Sequence, residues 1–411
     1  MPNQLVIIGA GFAGIWSAFA AKRLAQLTNN TANLEVLIIA PEPSLVIRPR
    51  LYEANPSTMQ HDLTALFQSL DVKYLQGLAT TISPSTHTIT MQPPTGSPLT
   101  IPYDRLILAA GSTIHYPPSV PGLSTHAFNI DTLPSATTLS THLANLPTLP
   151  ASPARSTIVI IGAGFTGIEL ATSLPSRLSQ LHLPQPQIIL IDSAPTIASS
   201  LGPSFNPTIT KALTSLHITL HLNTTLTSIT PTSVTLSSGV PIPTNTVIWT
   251  AGVRATPLTH QLPSKKDPLS RLHVDAYLRV PDVSDIYATG DAACAVADEK
   301  GHVALMSCQH ALQMGRVSGH NAAAELLGEP LVEYTQETYV CCLDLGDWGA
   351  VVGEGWERRA SLVGDVAKRV KRYINCPLIY PLGTPEEVLG DAAPTGRNSG
   401  ELLRMILGRV A

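Results

Sequence analysis

A nine-residue string occurs twice in this chain, and no other feature of the sequence restricts its fold as strongly. Ile7-Ile8-Gly9-Ala10-Gly11-Phe12-Ala13-Gly14-Ile15 returns 153 residues later as Ile160-Ile161-Gly162-Ala163-Gly164-Phe165-Thr166-Gly167-Ile168, with eight of nine positions identical. The surroundings repeat as well. Each copy follows a β-branched strand and precedes a stretch with helical spacing, about 15–27 and 168–181, and a second apolar strand comes next, at Leu34–Ile39 and Ile188–Asp192. Each unit then ends on an apolar strand that closes on glycine, Leu106 to Gly111 and Val247 to Gly252.

A strand, a G-x-G-x-x-G turn and a helix form the βαβ unit that binds dinucleotides. Its first glycine makes the tight turn, its second lets backbone approach a pyrophosphate, and its third lets helix pack on sheet. The helix N-terminus supplies N–H groups and partial positive charge. A bare βα turn uses similar glycines, but two matched copies in matched contexts favour two nucleotide sites, on Gly9, Gly11 and Gly14 and on Gly162, Gly164 and Gly167. The second unit carries an acid at the end of its second strand, Asp192, suited to ribose hydroxyls and repellent to a 2′-phosphate. NADH is therefore expected there rather than NADPH. The first unit has Ala40 at that place and its nearest acid at Glu42, which leaves its ribose ligand open.

Composition narrows the class. Lys plus Arg is 25 and Asp plus Glu is 29, a formal net charge of -4, which argues against a nucleic-acid binder because such a protein needs a basic footprint. The five cysteines are Cys294, Cys308, Cys341, Cys342 and Cys376. No disulfide framework spans the repeats, and an intracellular, cytoplasmic or peripheral-membrane setting is expected. The first strand begins almost at Met1, so no presequence is expected, and no apolar run reaches 18 residues. No metal ligand set is assigned.

Further signatures carry a family resemblance. Asp285-Ile286-Tyr287-Ala288-Thr289-Gly290-Asp291-Ala292-Ala293 resembles the second flavin fingerprint of two-dinucleotide flavoproteins. The chain as a whole resembles the pyridine nucleotide-disulfide oxidoreductase superfamily, and within it the type II NADH dehydrogenases and apoptosis-inducing-factor-like NADH:quinone reductases. That resemblance implies FAD on the first unit, with Asp291 at the ribityl chain, and Gly111 and Gly252 at the strand ends beside the cofactors. It implies that Arg48 and Pro49, in Ile47-Arg48-Pro49-Arg50-Leu51-Tyr52-Glu53, pass the isoalloxazine ring. It also implies that Glu169 lies near nicotinamide and flavin, and that Gln309, in Cys308-Gln309-His310-Ala311-Leu312-Gln313, lies at the quinone entrance. Other readings stay open: Glu169 as a first-turn carboxylate favoured by the helix macrodipole, Gln309 and Gln313 on a solvated face, Arg48 and Arg50 as surface cations. Disulfide reductases of the superfamily need a redox cysteine pair after the first unit, and sulfide:quinone reductases need a mid-chain cysteine. With no cysteine before Cys294, both activities are excluded by this reading.

The expected architecture is α/β, with two Rossmann-like dinucleotide-binding domains and a small C-terminal α+β cap. The first domain is discontinuous, 1–115 and 277–327, and binds FAD; the second, 116–276, binds NADH; the cap is 328–411. Adjacent Cys341 and Cys342 read as buried small residues. The stretch Val366–Ile374 has four cations and an aliphatic face, which suits either an anionic bilayer or, more commonly, a solvated surface. A homodimer or peripheral membrane contact through the cap stays open. The function this implies is transfer of two electrons from NADH through FAD to a quinone-type acceptor, with Glu169 and Gln309 as the catalytic candidates. Two rivals remain: a flavin oxidoreductase acting on a pathway-specific small molecule, and an NADH-responsive redox-sensing interaction protein.

Overall fold

The computed structural model describes residues 2–381, 383–395 and 399–410. The first repeat is β1 (Asn3–Ile8), α1 (Phe12–Leu27), β2 (Leu34–Ala40), β3 (Lys73–Gln76) and β4 (Arg105–Leu108). β5 (Ser112–Ile114) leads out of it. The second repeat is β6 (Ala127–Phe128), α2 (Leu133–Asn145), β7 (Thr157–Ile161), α3 (Phe165–Gln180), β8 (Gln187–Ile191), β9 (Thr219–His221) and β10 (Thr246–Trp249), followed by β11 (Val253–Ala255). β12 (Ile286–Ala288) and α4 (Cys308–Leu327) come next. The C-terminal unit holds β13 (Val340–Asp344), β14 (Ala350–Glu354), β15 (Arg359–Gly364), α5 (Asp365–Tyr373) and α6 (Ser399–Val410).

The two repeats fold into two parallel five-stranded sheets of the same design, in the orders β12-β4-β1-β2-β3 and β6-β10-β7-β8-β9. The glycine-motif strand is central in each: Ile8 lies between Ile39 and Leu108, and Ile161 between Ile191 and Trp249. Helices and layers cover these strands on both faces, so they read as unbroken apolar runs rather than alternating ones. Leu5, Val6 and Ile7 are fully buried, as are Ile158, Val159 and Ile160. After the second sheet the chain returns to the first through β12, which pairs with β4. Each repeat also carries a three-stranded antiparallel sheet, at Leu78–Pro102 and Leu226–Pro243.

The strand ends of the two repeats are tied to one another. Gly111 and Gly252 follow β4 and β10 with φ of +66° and +74°, a backbone region that favours glycine. The strands beyond them, β5 and β11, pair antiparallel, with Ser112 opposite Ala255 and Ile114 opposite Val253. Trp249 Nε1 donates to the His115 carbonyl at 3.1 Å across the same junction.

α4 packs against α1 along a seam of small residues. A Cβ on Gly315 would lie 2.4 Å from the Ala13 carbonyl oxygen, and one on Gly319 would lie 2.0 Å from that of Ser17. Between them the Ser17 and Ser318 hydroxyls share a hydrogen bond of 3.1 Å. This close approach fixes where α4 begins, and with it the position of Cys308 and Gln309.

The C-terminal unit is an antiparallel sheet, β13-β14-β15, under α5 and α6, with Ala350, Val352, Ala367, Val370, Leu403 and Ile406 as its core. The stretch read as a basic amphipathic helix forms α5, but two of its four cations turn into the fold. Lys371 is 5% exposed, and Lys368 is bonded to Asp344 and to the Gly346 carbonyl. Arg369 and Arg372 remain outside. No helix among the described residues is long and apolar enough to cross a membrane.

Candidate functional site

The carboxyl ends of both sheets look into one cavity of about 1160 Å³, walled on its far side by α4 and the C-terminal unit. Such crevices beyond parallel strand ends are where doubly wound sheets place ligands. Of the expected site residues, Gly11, Arg48, Pro49, Gly111, Glu169, Asp291 and Gln309 line it.

The glycines separate by function. Gly9 and Gly162 have φ of +112° and +108° and make the turns. Gly14 and Gly167 meet the turn itself: a Cβ on either would lie 1.9 or 1.8 Å from the carbonyl oxygen of Gly9 or Gly162. These four are demanded by the fold. Gly11 and Gly164 are not, since their φ values are −76° and −80° and a Cβ on either meets no protein atom within 4 Å. Protein packing gives no reason for glycine there. A phosphate lying against the backbone at a helix N-terminus does, so the cradle fits a nucleotide at both motifs.

Asp192 follows β8 and turns back over the second motif, accepting the Ala163 amide at 2.6 Å and the Ala194 amide at 2.8 Å. It thus stands against the second glycine loop. At the matching end of β2 the Ala40 carbonyl accepts the Tyr74 hydroxyl at 2.8 Å and the Pro41 carbonyl accepts the Gln76 amide at 2.9 Å. Glu42 is exposed.

Asp291 accepts the Ser112 hydroxyl at 2.6 Å and lies 3.8 Å from Arg48 Nη1. Arg48 is also gripped from the second repeat. Its Nε donates to the Asp131 carbonyl at 3.1 Å, and its Nη2 pairs with the Asp131 carboxylate. It is therefore a cavity residue held between two carboxylates, not a plain surface cation. Arg50 differs: it does not line the cavity, and its guanidinium pairs with Glu53 at 2.7 Å and donates to the Tyr380 hydroxyl at 3.2 Å.

Glu169 is not a solvated first-turn carboxylate. It is 3% exposed, accepts the Asp344 amide at 2.9 Å and pairs with Lys371 Nζ at 2.8 Å. Burial pushes its carboxyl up to about 7, against the lowering influence of Lys371. Burial works against the Lys371 ammonium, but the Glu169 carboxylate beside it, with Asp344, outweighs that and raises it above the ordinary lysine range. Lys371 also donates to the Cys342 carbonyl at 2.9 Å. A carboxyl that titrates near neutrality beside a fixed cation can hold or release a proton at the cavity wall.

Gln309 and Gln313 both line the cavity, which corrects the solvated-face reading. Their amides donate to the Ser399 hydroxyl at 2.9 Å and to the Pro394 carbonyl at 2.7 Å, joining α4 to the C-terminal unit. The wall beyond them is apolar, with Leu312, Ile379, Leu402, Leu403 and Ile406. Cys308, at the start of α4, and Cys341 have thiols that burial pushes up to about 11. Cys342 rises to about 12 for the same reason. All five cysteines are free, and the adjacent pair is buried as expected. Sequence reasoning missed Tyr52, Asp131, Asp344 and the inward role of Lys371.

Comparison with known proteins agrees with this geometry. An NADH dehydrogenase-like protein of Mycobacterium tuberculosis is 39% identical over 399 residues, covering 95% of this chain and 98% of its own. Demethylphylloquinone reductase of Synechocystis sp. is 28% identical over 359 residues, covering 85% and 86%. In fold, the sulfide:quinone oxidoreductase of Aquifex aeolicus superposes with a TM-score of 0.77 at 17% identity, over 98% of this chain and 95% of that one. The family model for pyridine nucleotide-disulphide oxidoreductases matches residues 3–315. With well over half of its length so matched, and both glycine motifs opening on one cavity, the chain belongs to the pyridine nucleotide-disulphide oxidoreductase family.

Proposed function

We propose that this protein is an FAD-dependent NADH oxidoreductase that passes two electrons from NADH to a quinone-type acceptor. The observation that carries the reading is the single cavity shared by the start of α1, the start of α3, Asp291, Glu169 and Gln309. When bound, the flavin supplies a two-electron carrier between donor and acceptor. The names of the relatives, an NADH dehydrogenase-like protein and a demethylphylloquinone reductase, support the donor and the acceptor class.

Each residue then has a task. Gly11 and the α1 amides take the FAD pyrophosphate, and Asp291 accepts ribityl hydroxyls with Arg48 beside it. Gly164 and the α3 amides take the NADH pyrophosphate, and Asp192 its ribose. Glu169 holds a proton at its carboxyl, with Lys371 fixing its orientation. Gln309 and Gln313 offer amide groups at the edge of the apolar wall, which suits a ring with carbonyl oxygens and a greasy substituent. The protein contributes position, water exclusion and charge rather than a nucleophile. The assignment of 1–115 with 277–327 to FAD, 116–276 to NADH and 328–411 to the cap is part of the same proposal.

The test is an anaerobic acceptor screen on the purified protein. A yellow protein bleached by NADH and rapidly recoloured by a short-chain quinone meets the expectation. Reoxidation by a soluble metabolite but not by quinones would replace the acceptor, and slow reoxidation by every acceptor would replace catalysis with sensing.

A further inference from the structure

Arg48 belongs to the first repeat, yet its guanidinium is held chiefly from the second. Asp131, in the segment between β6 and α2, accepts Nε through its backbone carbonyl at 3.1 Å and pairs with Nη2 through carboxylate Oδ1. On the other side, Nη1 donates to the Ser112 hydroxyl at 3.3 Å and stands 3.8 Å from Asp291 Oδ2. Asp131 is itself fixed. Its amide donates to Asn129 Oδ1 at 3.0 Å, and its second carboxylate oxygen accepts the Ile114 amide at 3.2 Å. Asn129 is held in turn, its side-chain amide donating to the Tyr116 hydroxyl at 2.8 Å. The Asp131 side chain is 10% exposed and that of Arg48 37%, so the guanidinium is the more open of the two, and both line the cavity.

The cluster has a net sign. One guanidinium between two carboxylates, Asp131 and Asp291, leaves one formal negative charge in excess. On the FAD reading proposed above, a ribityl chain held by Asp291 brings the ring it carries against this cluster, because Asp291 and Arg48 are neighbours. A flavin that takes hydride from NADH gains two electrons and one proton, so the ring acquires one negative charge as NAD⁺ is released. Excess negative charge beside the ring opposes that change, and at a site shielded from bulk water it is weakly screened.

We propose that Asp131 is a positioning residue for the flavin reaction, acting through Arg48. It aims the guanidinium into the cavity and offsets its charge, and so keeps the bound flavin harder to reduce than Arg48 alone would make it. A flavin poised in this way is the stronger reductant once reduced, which favours onward passage of its electrons to the acceptor.

The test is the reduction equilibrium of the FAD-loaded protein, read spectroscopically against a reference dye at one fixed pH. Asp131→Asn keeps the side-chain size and the backbone bond to Nε but removes one negative charge. It should favour the reduced flavin about tenfold or more, a rise of about 30 mV for each factor of ten in a two-electron couple. Arg48→Met removes the cation and should shift the equilibrium the opposite way by a similar factor. The double variant carries the net charge of the wild type and should return toward the wild-type value. A purely structural role would move both single variants in one direction and give no such return. Asp131→Ser, which also loses the charge, gives the same direction if the Asn variant folds poorly. A potential at or below that of the wild type in the Asp131 variant overturns the proposal. A wild type that takes up no FAD overturns the cofactor reading and the proposal with it, whereas loaded variants that all share the wild-type potential overturn the proposal alone.

Discussion

Lys371, on a helix of the C-terminal unit, donates to Glu169, on the glycine-motif helix of the second repeat, at 2.8 Å, with neither side chain more than 6% exposed. A buried pair of this kind is costly to break from one side, because the remaining charge has no partner and no water. Lys371→Met or Glu169→Gln alone should therefore destabilise the protein by about 3–5 kcal/mol. The double variant should lose much less than the sum of the two, and urea unfolding of all four proteins measures the coupling.

The pair also predicts a pH dependence. The Glu169 carboxyl is raised from 4.5 to about 7 in the fold, so the folded state binds more protons than the unfolded one between those values. Its contribution to stability is present below about pH 4.5 and is lost as pH rises through about 7. The wild type should melt at progressively lower temperature across this window, and Glu169→Gln should flatten that slope. A wild-type profile equally flat would refute the raised carboxyl.

Gly164 and Gly167 offer a contrast between ligand and fold. Gly164→Ala places its methyl in open space at an ordinary φ of −80°. Stability should stay within roughly 0.5 kcal/mol, while KM for NADH rises at least tenfold. Gly167→Ala puts its methyl 1.8 Å from the Gly162 carbonyl oxygen, and soluble yield should collapse. A Gly164 variant with unchanged KM would return the middle glycine to chance.

Asp192 should set the nucleotide preference. Asp192→Ser with Ser193→Arg removes a like-charge clash with a 2′-phosphate and adds a partner for it. The kcat/KM ratio should move toward NADPH. Because Asp192 also holds the Ala163 and Ala194 amides, kcat/KM for NADH should fall by more than a lost ribose contact requires. Equal use of both nucleotides by the wild type would contradict the assignment.

Asp291→Ala should weaken FAD retention by about 1.5–3 kcal/mol, the usual worth of a hydrogen bond to a charged group, read as flavin released on dilution. Gln309→Leu should leave flavin reduction by NADH intact and slow reoxidation by a short-chain quinone. Unchanged reoxidation would leave Gln309 as a tie to Ser399.

The paired sheets and their glycines were legible because each motif is written in consecutive residues whose backbone does the work. Asp192 was legible for the same reason, being fixed by the end of its strand. The helices begin slightly earlier than their apolar spacing indicates, at Phe12 and Phe165, because the third glycine of each motif lies inside the first turn. β15 went unseen: Arg359–Gly364 alternates exposed and half-buried positions, and only Ala360 and Leu362 on its inner face pack against the core. Lys371 was illegible for a different reason. Within Lys368, Arg369, Lys371 and Arg372 nothing local distinguishes the two cations that turn inward, and the Glu169 partner of Lys371 lies in another unit. Tyr52, Asp131 and Asp344 share that difficulty, since each matters through a contact made across the fold.

The antiparallel ribbon of β5 and β11 has a mechanical consequence. The chain crosses between the two sheets twice, and the crossings lie side by side and are hydrogen-bonded to each other. Such a double strap resists sliding and twisting but yields to bending about its own line, and each strand enters it from a glycine with positive φ, Gly111 or Gly252. Any displacement of one sheet against the other is therefore confined to bending about this line, which changes the space between the two helix starts without shearing them out of register. Arg48 and Asp131 pin that line at β5, where Arg48 donates to the Ser112 hydroxyl at 3.3 Å and Asp131 accepts the Ile114 amide at 3.2 Å.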